Sequence, residues 1–591
     1  MSSAVPTTAQ AAFAVTLADE WVRAGIRHAV VSPGSRSAPL ALALAAEPRL
    51  HLHVHVDERS AAFVALGIGK ASGVPAVVLT TSGTAAVELH PAVVESAQSK
   101  VPLLACTADR PPDLHDFGAP QTVDQTHLFG RAVRWFCQPG VADSATAFTW
   151  RSLAARAVAE ATGPPAGPVH LNLAFSDPLV AEPGPVPPGR AAGAPWHRRK
   201  AAPPGVGGAV LDEAVALLDA GRGVIMAGAG CGEPAAVHAL GAATGWPVLA
   251  DPASGCRVPG AATVAAFDAL LRHRPFAEGH RPEVVLRLGR PPASKVLAEW
   301  LACSGARQVV LDGNGDWLDP ARTAAMVIQG DPTAWCQALA VALGRQPLRS
   351  GPGTGGGPPR SRVQNGGGEG WAGSWAAAEA AAQGAIEVAL DRHPRMSEPG
   401  VARTLSAALP PGATLVVSSS MPVRDLEWYG APRTGLRVLG NRGANGIDGV
   451  VSTAVGVALA NSGPTALLVG DLALLHDTNG LLGLAERQVD LTIVVVDNRG
   501  GGIFSFLPPA EAVAPAGFEL LFGTPHHVDL IALAAAHGLA SNRVIDLAGL
   551  RATVEQAAAT GGVRVVVAPG DRQENVAAHD AIHIAVADAL G

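Results

Sequence analysis

The chain has 591 residues, and its sequence predicts an α/β fold with three parallel-sheet domains. Short β-branched runs alternate along the chain with Ala- and Leu-rich amphipathic stretches, a pattern typical of parallel sheets covered by helices on both faces. The length suggests about three or four domains at roughly 150 residues each. Two Pro/Gly-rich stretches divide the chain into three blocks, so we expect three Rossmann-like domains.

The domain boundaries follow from those two stretches. Residues 186–207 include VPPGRAAGAP, and residues 346–374 include GPGTGGGPPRSRVQNGGG. Pro and Gly at this density do not favour a packed element, so both stretches are predicted to be semi-flexible linkers. The predicted domains are therefore 1–185, 208–345 and 375–591.

Each block supplies its own strands, in chain order. The predicted strands are HAVVSP, LHVHVD, PAVVLTTSG and PLLACTADR in the first block, GVIMAGAG, EVVLRLG and RQVVLDG in the second, and ATLVVSSS, TALLVGD and LTIVVVDN in the third. In the first block, helices are expected over 60–71 and 85–99. Ligands of open parallel sheets lie beyond the carboxyl ends of the strands, so polar residues at these ends are the functional candidates.

Composition and charge exclude several classes of protein. Hydrophobic residues make up 48% and charged residues 16%, which excludes a disordered chain or a coiled coil. A net charge of −7 argues against a nucleic-acid platform. Six scattered cysteines without C-x-x-C spacing argue against a zinc ribbon. Neither a signal peptide nor an apolar run of about 18 residues is found, so we expect a cytoplasmic protein without a membrane span.

The strongest constellation of polar residues lies in the third block. One strand ends in Gly470-Asp471, and the next ends at Asn498, with Gly500 shortly after it. This is one strand–helix–strand crossover, so Asp471 and Asn498 should lie at neighbouring strand ends. Carboxylate and amide oxygens beside glycines suit a hard divalent cation that carries a diphosphate. Ordinary turns between strands and helices use the same residue types, so the spacing alone leaves both interpretations open.

Several further segments make the pattern specific. They are SPGSRSAPL (32–40), VDERSAAF (56–63), TTSGTAAVELHPAVVESAQSKVPLLACTADRPPDL (80–114), QTVDQ (121–125), SSSMPVRDLE (418–427), NRGANGIDGVVSTAVG (441–456) and GGIFSFLP (501–508). With them the chain resembles the thiamine-diphosphate enzymes, and among these the 2-succinyl-5-enolpyruvyl-6-hydroxy-3-cyclohexene-1-carboxylate synthases of menaquinone biosynthesis. SPGSR, ADRPP and NRG-x-x-GIDG distinguish that family from acetolactate synthases and pyruvate decarboxylases. The resemblance is dense in the outer blocks and thin in the middle one.

The resemblance implies thiamine diphosphate and Mg²⁺ as cofactors, with Mn²⁺ as an alternative ion. It assigns the metal to the side chains of Asp471 and Asn498 and to the backbone carbonyl of Gly500. Leu472 departs from the family's GDG triplet. Glu58, at the start of a predicted helix, would be the carboxylate that activates the aminopyrimidine ring. Without the resemblance, Glu58 is an acidic residue at a helix N-terminus, where the helix dipole favours it.

The implied reaction is the decarboxylation of 2-oxoglutarate and the addition of its succinyl unit to isochorismate. Ile447 would support the bent thiamine. Ile503, Phe504 and Leu507 would form an apolar wall over the reaction centre. A dry wall protects a carbanion from premature protonation.

The two substrates together bring four carboxylates, and Arg binds carboxylates in a bidentate manner. The resemblance assigns two groups of residues to the substrates. Isochorismate would be bound by Ser35, Arg36, Arg110, Gln121 and Lys295. The distal carboxylate of the succinyl group would be bound by Ser420, Arg424 and Arg442. Taken alone, each arginine would be a solvated surface charge. The position after Lys295 is basic in some relatives, but in this chain it is Val296, so the contribution of the middle block stays open.

The implied assembly is a homo-oligomer, either a dimer or a dimer of dimers. Each site would combine the first domain of one chain with the third domain of another. The middle block has a fragment of a dinucleotide fingerprint at 228–232, which alone is weak, and the resemblance implies no flavin. Two alternatives remain, an acetolactate-type carboligase and a non-catalytic metabolite sensor. Intact Glu58, Asp471 and Asn498 argue against the sensor.

Overall fold

The computed structural model describes residues 6–200, 205–345, 367–393 and 395–591. Within these ranges lie three six-stranded sheets in which every strand pair is parallel. The predicted α/β fold with three parallel-sheet domains is therefore confirmed. Among the described residues, no helix combines the length and apolar character needed to cross a bilayer.

The first sheet and its helices occupy the N-terminal part of the chain. From edge to edge its strands are His51–Val54, His28–Val31, Val77–Thr80, Leu103–Asp109, Pro168–Ala174 and Trp135–Cys137. The helices are Ala9–Arg23, Ala38–Ala46, Glu58–Ser72, Thr84–Val87, His90–Ser99 and Ala147–Thr162. A two-residue pairing of Thr7–Thr8 with Glu182–Pro183 closes the domain. The inner strands Leu103–Asp109 and Pro168–Ala174 are buried along their whole length because helices cover both faces.

The second sheet lies in the middle domain. Its strands, in order, are Thr263–Val264, Val248–Ala250, Gly223–Ala227, Val284–Leu288, Arg307–Asp312 and Ala324–Gln329. The helices are Gly208–Leu218, Pro234–Thr244, Phe267–Arg272, Arg274–Gly279, Lys295–Cys303 and Pro332–Arg345.

The third sheet has the strand order Leu436–Leu439, Ala413–Val417, Thr465–Gly470, Leu491–Asp497, Val563–Pro569 and Ala540–Arg543. Its helices are Gly367–Arg392, Glu398–Ala408, Met421–Tyr429, Val450–Ala460, Asp471–His476, Pro509–Ala512, Pro515–Phe518, Leu530–Ala536, Leu547–Thr560 and Arg572–Leu590. A 3-10 turn, Gly502–Phe506, and a π-helical turn, Glu519–Gly523, follow the fourth of these strands.

Both predicted linkers contain residues with fixed contacts. In the first, Arg151 of the N-terminal domain donates to the carbonyl of Pro187 at 2.8 and 2.9 Å. In the second, a helix begins at Gly367, which corrects the predicted linker for 367–374. Trp371 explains the difference, because its buried indole donates to the Gly223 carbonyl at 2.9 Å. The remainder of that linker, 346–366, and residues 201–204 lie outside the described residues.

The first and third domains of one chain pack through two helices, Glu58–Ser72 and Val450–Ala460. Glycines stand where the two backbones come closest. A Cβ at Gly67 would lie 2.1 Å from the Thr453 carbonyl oxygen, and one at Gly456 would lie 2.0 Å from that of Val64. Any side chain at these points would force the helices apart, so the glycines permit this spacing.

The middle domain contacts the helix Met421–Tyr429 through Arg257. The buried guanidinium donates to three carbonyls at the end of that helix, Leu426 at 3.0 Å, Glu427 at 2.7 Å and Gly430 at 3.0 Å. The Leu426 carbonyl also accepts the Gly430 N–H at 3.0 Å, whereas the carbonyls of Glu427 and Gly430 lie at the helix C-terminus, where a cation is favourable.

Candidate active site

The third sheet has a topological switch point between two adjacent strands, Ala413–Val417 and Thr465–Gly470. After Ala413–Val417 the chain forms the edge strand Leu436–Leu439 on one side of it. The chain then returns and forms Thr465–Gly470 on its other side. Ser420 lies in the short loop after Ala413–Val417, and Asp471 directly follows Thr465–Gly470. Crevices at switch points are the usual ligand sites of open α/β sheets.

A cavity of about 450 Å³ opens at this point. Among the residues predicted from the sequence, those that line it are Ser420, Arg424, Arg442, Ile447, Asp471, Asn498, Gly500, Ile503 and Phe504. The structure thus brings together residues that lie far apart along the chain.

The polar floor of the cavity has the donor set expected for a divalent cation. Asn498 Nδ2 donates to Glu398 Oε1 at 2.7 Å, and this contact fixes the orientation of the amide. Asn498 Oδ1 is buried and has no hydrogen-bond partner among the described residues. A buried acceptor without a partner is costly unless a ligand or ion supplies one. The residues therefore fit a cation in this position.

Asp471 lies beside Asn498 and is almost fully buried. Its carboxylate accepts backbone N–H groups from Leu472 at 2.6 Å and Gly500 at 2.9 Å. Burial raises the pKa of Asp471, and these hydrogen bonds oppose the rise. A bound cation would favour the ionised carboxylate further.

Three residues near Asp471 were not assigned from the sequence: Glu398, Asp497 and His526. His526 Nε2 lies 3.1 Å from Asp471 Oδ2, and Asp497 completes a group of three possible metal ligands with them. Burial, and next the neighbouring Asp425, raise the pKa of Glu398. Only Asp497 had a signal in the sequence, its position directly before Asn498. Glu398 and His526 reach the site from distant segments.

The cationic side of the cavity holds Arg424 and Arg442. Arg424 donates to the Ser420 carbonyl at 2.6 Å. Neither arginine forms an ion pair with another residue in the described part of the chain. Burial lowers the pKa of Arg424, and the nearby Arg442 cation lowers it further. Two neighbouring cations in a recess, without carboxylate partners, make a site for an anion.

Ser420 itself has an unusual backbone, with φ 73° and ψ −134°. This conformation is normally restricted to glycine and costs about 1–3 kcal/mol for other residues. Asn445 and Arg499, on the loops around the cavity, also have positive φ. Three of the ten non-glycine residues with positive φ in the described part of the chain therefore lie around this cavity.

Glu58 lines a second cavity of about 640 Å³ in the first domain, together with Ser35 and Gln121. It is the first residue of its helix, and the Asp57 side chain caps that helix by accepting from the Arg59 N–H. The position at a strand end and helix start agrees with the sequence prediction.

Arg36 and Arg110 lie next to this second cavity without lining it. Arg110 donates to the Ser82 hydroxyl, and Arg36 donates to the Phe175 carbonyl at 2.8 Å. Burial lowers the pKa of Arg110, and the nearby Arg36 cation contributes to the shift. The two arginines are therefore neighbours, as a shared anionic ligand would require.

Within one chain, the Glu58 cavity and the Asp471 cavity have no lining residue in common. Two other predicted residues line neither of them. Lys295 is 86% exposed at its side chain and pairs with Glu299 at 3.4 Å. Leu507 is 40% exposed and lies just beyond Ile503 and Phe504. Their assignments stay predictions.

Comparison with known proteins places the chain among relatives along its full length. The family models that match describe a thiamine pyrophosphate enzyme N-terminal TPP binding domain over 12–128, a middle domain of thiamine pyrophosphate over 193–417, and a C-terminal TPP binding domain over 426–568. A 2-succinyl-5-enolpyruvyl-6-hydroxy-3-cyclohexene-1-carboxylate synthase from Myxococcus xanthus is 45% identical, with 98% of each chain covered. Proteins with the same name from Thermobifida fusca (44%; 98% of this chain and 99% of the relative) and Chloroflexus aurantiacus (43%; 96% and 94%) are similar.

Proposed function

The chain belongs to the 2-succinyl-5-enolpyruvyl-6-hydroxy-3-cyclohexene-1-carboxylate synthase family of thiamine-diphosphate enzymes, and we propose that its two cavities together form the catalytic site for that synthesis. The reaction removes CO₂ from 2-oxoglutarate and joins the succinyl unit to isochorismate. One observation carries the assignment of the site. A single cavity combines the Asp471–Asn498 donor set with an apolar wall and with two arginines that have no carboxylate partner in the described part of the chain.

Mg²⁺, with Mn²⁺ as an alternative, would be held by Asp471, Asn498 and the Gly500 carbonyl. The unpartnered Asn498 oxygen supports this assignment, since a cation supplies the missing partner. When bound, thiamine diphosphate supplies the electron sink that decarboxylation needs. Through that ion these residues would also hold the diphosphate group of the cofactor.

The chain's own residues would bind and orient the substrates. Arg424 and Arg442 would hold the distal carboxylate of 2-oxoglutarate, because both cations line the cavity and neither pairs with a carboxylate among the described residues. Isochorismate would be bound in the first domain by Ser35, Arg36, Arg110 and Gln121. Lys295 of the middle domain would add a further cation. Ile503 and Phe504 would exclude water from the reacting carbon, with Ile447 and Leu507 completing the apolar surface.

Glu58 would act in the site of a partner subunit, where its carboxylate would hydrogen-bond the aminopyrimidine ring of the cofactor. Two observations support a homodimer or dimer of dimers. The two cavities are separate within one chain. Exposed apolar residues also flank both of them, with Val54 and Val56 before Glu58 at 54% and 72% exposure. Apolar surface of this kind marks an interaction site.

An assay with 2-oxoglutarate, isochorismate, Mg²⁺ and thiamine diphosphate tests the reaction, with each component omitted in turn. Product formation should require all four. Turnover of pyruvate, without turnover of 2-oxoglutarate plus isochorismate, would instead identify an acetolactate-type carboligase.

Mixing two inactive variants tests the composite site. Glu58→Gln chains and Asp471→Asn chains, unfolded together and refolded in equal amounts, would form mixed dimers with one site that has both native residues. Since half of the dimers are mixed, activity should return to about one quarter of the wild-type value. No recovery, in a sample shown to contain mixed dimers, would contradict sharing between subunits.

A further inference from the structure

Lys70 and Glu95 form a buried ion pair in the first domain, at its contact with the third domain. Their side chains are only 8% and 3% exposed, and Nζ lies 3.5 Å from Oε1. Lys70 belongs to the helix Glu58–Ser72, and Glu95 to His90–Ser99. Neither residue lines either of the cavities described above.

The pair contacts the backbone on both sides of Arg442. Lys70 Nζ donates to the Gly440 carbonyl at 2.8 Å. Glu95 accepts the N–H of Gly443 at 3.0 Å with Oε1 and that of Ala444 at 2.7 Å with Oε2. The loop from 440 to 445 lies outside helix and strand, so no regular ladder supplies these hydrogen bonds.

Close packing also restricts this loop. A Cβ at Gly443 would lie 2.6 Å from the Ser99 hydroxyl. Ser99 in turn donates to Glu95 Oε1. The 440–445 loop therefore packs closely against the first domain at the point where the Glu95 carboxylate accepts its hydrogen bonds.

We propose that Lys70 and Glu95 are positioning residues that fix the Arg442 loop, and thereby the site for the distal carboxylate of 2-oxoglutarate. This inference rests on the proposed role of Arg442. The pair acts through the backbone at 440 and at 443–444, so it limits rotation of the segment between these points. A displacement of about 1 Å in a positioning group can lower turnover by about 100-fold.

General stabilisation does not explain the pair well. A buried ion pair often contributes no net stability, because desolvation of both charges offsets their attraction. Burial lowers the pKa of Lys70 and the nearby Glu95 opposes this shift, as expected for a charge that needs its partner in a buried position. The geometry points to specificity, since three charge-assisted hydrogen bonds reach one functional loop.

Glu95→Gln removes the charge with little change in volume, and its matched control is Glu20→Gln. Glu20 is also a buried carboxylate of the first domain, paired with Arg151 at 2.9 Å, but it does not contact the loop. We expect Glu95→Gln to raise the KM for 2-oxoglutarate about tenfold or more, with the KM for isochorismate changed less than twofold. Glu20→Gln should change neither value beyond twofold. Equal effects of the two variants would overturn the inference.

Hydrogen exchange gives a readout independent of turnover. In Glu95→Gln, the peptide that contains Gly443 and Ala444 should exchange faster, whereas Glu20→Gln should leave its rate unchanged. Glu95→Asp keeps the charge but shortens the side chain, so it tests whether the carboxylate must reach both amides. It also replaces Glu95→Gln as the test variant if that protein does not fold. Its shorter side chain should fail to hold both amides and should also raise the KM for 2-oxoglutarate. Unchanged exchange and an unchanged KM would refute the positioning role.

Arg442→Ala separates this inference from the proposed function. If Arg442→Ala leaves the KM for 2-oxoglutarate unchanged, the substrate assignment fails and the inference falls with it. If Arg442→Ala raises that KM and Glu95→Gln does not, the positioning role alone fails. In the double variant, Glu95→Gln should add less than twofold to the effect of Arg442→Ala, because the group that it positions is absent.

Discussion

The contact between Gly67 and Gly456 makes a quantitative prediction about the packing of the first and third domains. In Gly456→Ala the new Cβ would lie 2.0 Å from the Val64 carbonyl oxygen and 3.0 Å from the Gly67 Cα. An ordinary carbon–oxygen contact is about 3.4 Å, so the helices must separate by more than 1 Å. Overpacking of this kind costs about 1–3 kcal/mol, occasionally more.

Helix propensity acts in the opposite direction, because alanine is favoured over glycine by about 1 kcal/mol within a helix. Gly384→Ala controls for this term. Gly384 lies inside the helix Gly367–Arg392, and a Cβ added there would meet no atom of the described residues within 4 Å. The propensity gain cancels in the comparison, so the difference in unfolding free energy measures the clash alone, about 1–3 kcal/mol.

Urea unfolding followed by far-UV circular dichroism measures this difference. We expect Gly384→Ala to be as stable as the parent chain or more stable, and Gly456→Ala to be less stable. Activity should fall in Gly456→Ala as well, because its helix starts just after the loop that carries Ile447. A Gly456→Ala protein as stable as Gly384→Ala would refute the account of the interface.

Glu58→Gln should preserve the fold and Mg²⁺ binding while lowering kcat by several orders of magnitude; near-normal turnover would remove Glu58 from its role. Arg424→Ala should raise the KM for 2-oxoglutarate far more than that for isochorismate, and equal increases would contradict the assignment. Burial lowers the pKa of His28 to about 4 and that of His53 to about 3. Below about pH 6.5 these histidines are protonated in the unfolded chain, but in the folded chain they stay neutral until the pH approaches the lowered pKa. The free energy of unfolding therefore falls on acidification, by about 2 kcal/mol per histidine at pH 5. His53→Gln should therefore lose less stability than the parent between pH 7.5 and pH 5 in urea unfolding, and equal losses would exclude this cause.

The sheets and the strand-end residues were predictable because their signals are local. Asp471 and Asn498 follow buried strands directly, and parallel pairing brings such ends together without further information. Glu398 and His526 gave no comparable signal, since nothing near them in sequence shows that they contact Asn498 and Asp471. The helix from Gly367 was missed for a similar reason. Its glycines predict a loop, while the buried contacts of Trp371 come from another domain.

The contacts of Arg257 have a consequence for how such three-domain chains can be recombined. Its guanidinium also donates to Ala250 and Ala265 within the middle domain, so one side chain joins backbone groups of two domains. A chimera with a middle domain that lacks this arginine would leave the carbonyls of Glu427 and Gly430, at the end of the helix Met421–Tyr429, without this donor. Each buried polar group left unpaired costs about 1–3 kcal/mol. Exchange of the middle domain is therefore restricted to domains that carry an equivalent cation, even though its sheet forms a separate layer.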